Sequence, residues 1–158
     1  MLFRSAHAAG REILLHQPLT ATSGKAMGPG GIDLDMKVED VRAALRRNLK
    51  SVPHAIGINN HMGSAFTTDD EAVDRLVSVL ETEHAALIVV DSRTAPHSHL
   101  YPAARKRGLR VARRDVFLDH EASESFVDSQ LTKLFDHEKR HGTAIGIAHR
   151  SEEHTSEL

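Results

Sequence analysis

Cysteine and tryptophan are absent from this chain, and aromatic residues make up only 4% of it. Without a thiol there is no disulfide framework and no thiolate chemistry. No apolar run approaches the ~20 residues a membrane-spanning helix needs, so no transmembrane segment is expected. The opening Met1-Leu2-Phe3-Arg4-Ser5 lacks the long apolar core of a secretory signal. Charge of one sign is missing as well, since the net charge at pH 7 is −2. Arg46-Arg47, Arg105-Lys106-Arg107 and Arg113-Arg114 are short clusters in mixed surroundings and read as solvated faces. No global field therefore points to a nucleic-acid partner.

What is present describes a globular chain. Its 158 residues, 40% hydrophobic and 27% charged, are enough for one domain with a real core. Twelve histidines is a high count. His97, His99, His137 and His141 read as surface residues, and interest falls on the histidines at strand ends.

Hydrophobic periodicity alternates between strand and helix. Glu12-Ile13-Leu14-Leu15 is a short apolar run of buried parallel-strand type, ending at His16-Gln17-Pro18. Residues 19–36 form a loop with Gly28-Pro29-Gly30-Gly31 at its middle, and loops of that length are often functional. Val38, Val41, Leu45 and Leu49 mark an amphipathic helix. Ala55-Ile56-Gly57-Ile58 is the next strand, leading into Asn59-Asn60-His61-Met62-Gly63-Ser64. Thr68 and Glu71 have capping-box spacing ahead of Ala72, Val73, Leu76, Val77 and Leu80. Ala86–Val90 is the clearest strand and stops at Asp91-Ser92-Arg93-Thr94. A helix near 99–107 stops at Gly108, and residues 109–113 are a weaker strand. Phe126, Val127, Leu131, Leu134 and Phe135 mark a long helix, and a strand at 144–148 ends at His149. Five strands with helical crossovers and no hairpin signal predict a parallel α/β sheet or barrel.

In such a fold the carboxyl ends of the strands share one side. His16, His61, Asp91, Asp115 or Asp119, and His149 would then surround one mouth. Two imidazoles and a carboxylate are the donor set of a divalent metal such as zinc, with another His or Asp as acid or base. None of these residues sits in a local motif such as H-E-x-x-H, so each keeps a structural alternative. His61 could be a turn histidine, and His16 could bond backbone. Asp91 could cap the following helix. Asp115 and Asp119 read as structural, one of them pairing with Arg114. A phosphate loop at Gly28-Pro29-Gly30-Gly31 is disfavoured, because those glycines follow no strand directly and lack the lysine and hydroxyl.

His16-Gln17-Pro18, Gly28-Pro29-Gly30, Asn59-Asn60-His61-Met62-Gly63-Ser64, Asp91-Ser92-Arg93-Thr94, Arg114-Asp115-Val116-Phe117-Leu118-Asp119 and Ala144-Ile145-Gly146-Ile147-Ala148-His149 follow one another in a family order. Over residues from about 10 to 149 the chain resembles the divergent polysaccharide deacetylases. The Asn-Asn-His-Met-Gly-Ser and Arg-Asp-Val-Phe-Leu-Asp segments are the most specific. The resemblance implies a distorted (β/α) barrel, hydrolysing acetyl groups of a bacterial polysaccharide. In the wider superfamily a zinc-type ion held by one Asp and two His activates water, an Asp is the base, and a late-strand His protonates the leaving group. Carried onto this chain, the resemblance makes His61 the best metal ligand. His16 is a second ligand and Asp91 a polar catalytic partner, both by extrapolation, and His149 is the late-strand acid.

Two departures shape the expectation. The superfamily's first strand ends in an Asp-Asp pair, whereas residues 1–10 contain no Asp or Glu. Beyond His149 the family continues with Pro and more barrel, whereas residues 150–158 resemble a translated sequencing-library adapter. The expected organisation is thus a partial deacetylase-like domain over residues 1–149, an incomplete barrel truncated at both ends, followed by foreign sequence. For this chain as given the expectation is weak or no deacetylase activity and poor zinc affinity, because a three-ligand site has lost its carboxylate. The alternative is a catalytically inactive barrel that binds carbohydrate or peptidoglycan. An exported parent acting on envelope polymers would carry its leader upstream of Met1. Tyr101 and five Phe are the residues available for sugar stacking.

Overall fold

The computed structural model describes residues 2–121 and 123–149; the expected foreign segment, 150–158, lies outside the described residues. Two compact units divide the chain, Met1–Ala112 and Arg113–Leu158.

The first unit is a parallel sheet with strand order β1-β2-β3-β4, formed by Ile13–Leu19, Ala55–Met62, Ile88–Asp91 and Arg110–Arg113. Helices α2 (Val38–Ser51), α3 (Asp70–Glu83) and α4 (Leu100–Lys106) connect the strands. A short helix α1, Leu2–Ala8, precedes β1.

Alternation along the strands separates two faces. Ile13, Leu15, Leu19, Ile58 and Val89 turn to one side and join Val41 and Leu45 of α2 and Val73, Leu76, Val77 and Leu80 of α3 in one buried cluster. Each such side chain, fully buried, is worth ~1.5–3 kcal/mol against exposure. The other face carries Leu14, His16 and Pro18 of β1 beside Gly57, Asn59 and His61 of β2, as the parallel register requires. Gly57 is needed there. A Cβ would meet the Ile88 carbonyl oxygen at 2.5 Å and the Leu14 side chain at 2.8 Å, forcing neighbouring strands apart.

Strand β1 runs three residues beyond His16, through Gln17, Pro18 and Leu19. Pro18 is accommodated because β1 is an edge strand and tolerates a residue without an N–H. The Pro18 carbonyl still accepts from Ile32 N at 3.0 Å, and Leu19 bridges Ile32. The long loop is thereby fastened to the sheet. A buried amide pair fastens it again: Gln17 and Asn48 both donate to the Gly30 carbonyl, at 2.9 and 2.7 Å. Asn48 also donates to Gln17 Oε1 at 2.8 Å.

The start of α3 differs by one residue from the capping-box expectation. Asp69 is the N-cap and accepts from Ala72 N at 2.8 Å, while Thr68 Oγ1 turns back to the Ser64 and Ala65 carbonyls. The carboxylate takes the cap at the residue that already has extended backbone. Across α2 and α3, Arg42 bonds Glu39 and Glu83, and Arg46 reaches Glu83 at 2.9 Å. Burial pushes the Glu83 carboxyl up, but the bonds from Arg42 and Arg46 more than reverse this and leave it below its ordinary value.

The second unit is a β-α-β element. Strands β5 (Val116–Phe117) and β6 (Gly146–Ile147) pair in parallel, joined by helix α5 (Glu124–His141). Ser123 caps α5 by accepting from Phe126 N at 3.3 Å, and Gly142 closes it in the left-handed region at φ 82°. The expected strand at 144–148 is shorter than the apolar run, and its partner β5 arises within the segment between Arg114 and Asp119.

Candidate functional site

His16 pairs in register with Asn59, and His61 lies two residues further along β2, so all three share one face of the sheet. The structure brings the two rings together. His61 Nδ1 stands 3.0 Å from His16 Nε2, with ring centroids 4.7 Å apart and planes at 62°. His16 is exposed and His61 half-buried.

The segment around His61 is built to hold this place. Asn60 points to the opposite face and is 2% exposed. Its Oδ1 accepts from Ser92 N at 2.7 Å, and its Nδ2 donates to the Met62 carbonyl at 2.8 Å and to Thr94 Oγ1 at 3.2 Å. Thr94 Oγ1 in turn donates to the Met62 carbonyl at 2.8 Å. The ends of β2 and β3 are thus stitched by one buried amide. The chain then reverses through Met62 at φ 54° and Gly63 at φ 92°. Glycine serves at 63 because a Cβ would press Leu19 Cβ at 3.0 Å on top of the left-handed backbone. Ser64 Oγ accepts from Thr22 N at 3.0 Å, joining the loops that follow β1 and β2. On the imidazole face, Asn59 Nδ2 donates to Ser92 Oγ at 3.2 Å. Asn59, Asn60 and Thr94 position these strand ends, and no local sequence signal marks them for it.

Asp91 ends β3 and is 1% exposed. Its Oδ1 accepts from Arg93 N at 2.8 Å and its Oδ2 from Tyr101 N at 3.3 Å. The first bond closes an aspartate turn that sets Arg93 at φ 50°. The second reaches the first turn of α4, close to the capping alternative weighed from the sequence.

His149 and Asp119 belong to the second unit and meet there. Asp119 Oδ2 accepts from His149 N at 2.5 Å, and Asp119 Oδ1 lies 3.3 Å from His149 Nδ1. Their side chains are 16% and 9% exposed, and the Phe117 ring packs edge-on to the imidazole at 5.3 Å. A carboxylate on Nδ1 selects the tautomer with its proton there and leaves Nε2 to accept one. Asp115 takes a different place, accepting from Ile145 N at 2.9 Å and facing His137 Nε2 at 3.4 Å. Arg114 lies over the Phe117 ring at 5.0 Å.

Zinc, the cofactor expected from the sequence, can be tested against these donors. Two nitrogens on one tetrahedral zinc, each at ~2.0–2.1 Å, stand roughly 3.3 Å apart. The His16–His61 spacing of 3.0 Å lies within a few tenths of an ångström of that. Among the described residues no three His, Cys, Asp or Glu side chains are placed to hold one ion together. That spacing is compatible with two positions of a zinc shell and equally with a hydrogen bond between the rings. Among the described residues, too, no helix is long and apolar enough to cross a membrane.

Comparison with known proteins places the chain in a family. Residues 2–158 match the family described as divergent polysaccharide deacetylase. An uncharacterized protein of Haemophilus influenzae is 34% identical over 146 residues, which are 92% of this chain and 51% of that protein. The uncharacterized protein YibQ of Escherichia coli is 31% identical over 144 residues, 91% of this chain and 44% of that protein. The chain therefore spans about half the length of these relatives. In fold it is similar to the crystal structure of the uncharacterized protein ATU2773 from Agrobacterium tumefaciens C58. That match has a TM-score of 0.86 and 24% identity, and covers 92% of this chain and 59% of the other.

Proposed function

Because this chain belongs to the divergent polysaccharide deacetylase family, we propose that it carries the imidazole part of a site that removes acetyl groups from a bacterial polysaccharide by metal-dependent hydrolysis. The observation that supports this reading is the 3.0 Å approach of His61 Nδ1 to His16 Nε2 from adjacent parallel strands. His61 and His16 would hold a zinc-type ion, with the remaining donor coming from outside the described residues. Such an ion supplies Lewis acidity toward an acyl oxygen and makes water more acidic.

The chain's own residues do the rest. Asn59 and Ser92 present polar groups on the face that bears the imidazoles, where sugar hydroxyls would be held. Within the second unit, His149, its Nδ1 turned to Asp119, would take up a proton at Nε2 and pass it on, the late-strand acid role that the family resemblance implies. Asp91 is a positioning residue, holding the Ser92–Arg93 turn through Arg93 N. Acetate release from acetylated aminosugar oligomers by the whole protein containing this chain tests the reading. Zinc-dependent release that His61→Ala abolishes supports it, and release indifferent to that substitution refutes it.

A second reading, a carbohydrate- or peptidoglycan-binding barrel without catalysis, is favoured by one feature. The two ring nitrogens lie within hydrogen-bonding distance, so the pair is satisfied without an ion. Oligosaccharide binding with no acetate release at saturating zinc would select it.

A further inference from the structure

A second pair of imidazoles lies on α5. His137-Glu138-Lys139-Arg140-His141 matches H-E-x-x-H, a spacing that sets two imidazoles one above the other on one face of a helix. Read from sequence as surface histidines, these two are brought together by the unbroken helix from Glu124 to His141. Their ring centroids are 4.3 Å apart and their planes tilted by 40°. His137 is half-buried against Asp115, whose Oδ1 stands 3.4 Å from His137 Nε2, and His141 is exposed.

Charge favours a cation here. Both histidines fall in the last turns of α5, where the carbonyl end of the helix dipole attracts positive charge. The two intervening cations are drawn toward Asp136 instead. Lys139 Nζ is 3.7 Å from Asp136 Oδ1, and Arg140 Nε donates to the Asp136 carbonyl at 3.0 Å. Neutral imidazoles suit zinc, nickel and copper, and a second imidazole one turn away makes the second bond intramolecular.

We propose that His137 and His141 form a two-imidazole chelate for a divalent transition ion of the zinc, nickel and copper class, with the Asp115 carboxylate as its charge partner. The chelate would clamp the last turn of α5. It implies binding and not hydrolysis, since among the described residues no third His, Cys, Asp or Glu side chain joins these two as a ligand group.

Zinc chloride titration of the intact chain, followed through its histidine ring nitrogens by NMR, reads this site and the His16–His61 pair separately. The expected result is that the His137 and His141 rings shift with one shared midpoint. His141→Asn, an exposed change in the last helical turn, should raise the His137 midpoint at least tenfold with the fold unchanged by circular dichroism. Separate midpoints for the two rings, a His137 midpoint unmoved by His141→Asn, or no response of either ring at millimolar zinc would each overturn the proposal. Any of these results leaves the deacetylase reading untouched, because His16 and His61 report on that independently.

Discussion

Asn48→Ala is the sharpest test of how the long loop is tied to the strand that bears His16. Asn48 Nδ2 donates to Gln17 Oε1 at 2.8 Å and to the Gly30 carbonyl at 2.7 Å. Removing the amide leaves the Gly30 carbonyl with its bond from Gln17 Nε2 at 2.9 Å. Gln17 Oε1 is less fortunate: its residue is 1% exposed and loses this donor. Leaving a buried acceptor unpaired costs ~1–3 kcal/mol. Alanine's better helix propensity returns roughly 0.6 kcal/mol at most in the last turn of α2. The net expectation is a loss of about 1.5 kcal/mol, equivalent to a fall in Tm of about 3–6 °C for a chain of this size. Urea unfolding of the variant beside Arg47→Ala, an exposed neighbour on the same helix expected to stay within ~0.5 kcal/mol, supplies the measurement. Amide exchange should also quicken at Ile32, whose N–H bonds the Pro18 carbonyl in the loop's own anchor. Equal urea midpoints for the two variants would refute the reasoning.

Two further outcomes are expected. The Glu83 carboxyl titrates below its ordinary value of 4.5, so the bonds from Arg42 and Arg46 stabilise the fold above that pH and lose their effect as pH falls through the folded value. The urea-midpoint difference between the native chain and Glu83→Gln should therefore be largest above pH 4.5 and vanish at lower pH; a difference that persists in acid would contradict this. Asp119→Ala should speed amide exchange at His149 and shift its ring toward the Nε2-protonated tautomer in nitrogen NMR spectra, since Asp119 holds both the amide and Nδ1. Unchanged exchange and tautomer would show that the pair does not set the ring.

Much of this was legible in the sequence, for reasons that differ by element. Helices α2 and α3 announce themselves because Val41, Leu45, Val73, Leu76 and Leu80 recur at helical spacing and are buried as that spacing requires. The parallel α/β class follows from strands separated by such helices. Strand ends were harder. The apolar run gives way at His16-Gln17-Pro18 although β1 continues to Leu19, and Asp69 takes a cap that Thr68 and Glu71 advertise. Helix α1 was not foreseen, because Leu2–Ala8 is too short to display a period. At the site, the gathering of His16 and His61 at adjacent strand ends could be anticipated, but their separation depends on the register between β1 and β2. The Asn60 stitches to Ser92 and Thr94 join residues more than thirty positions apart, and no local pattern encodes them. Asp119 was read as structural, and its partnership with His149 spans the whole of α5.

Anomalous diffraction at the zinc edge, from crystals of the whole protein containing this chain grown with zinc, tests most directly whether the two strand-borne imidazoles share an ion. A peak ~2.0–2.1 Å from both His61 Nδ1 and His16 Nε2 is the predicted result. Crystals saturated with zinc in which those two nitrogens remain hydrogen-bonded to each other, with no metal between them, would contradict it.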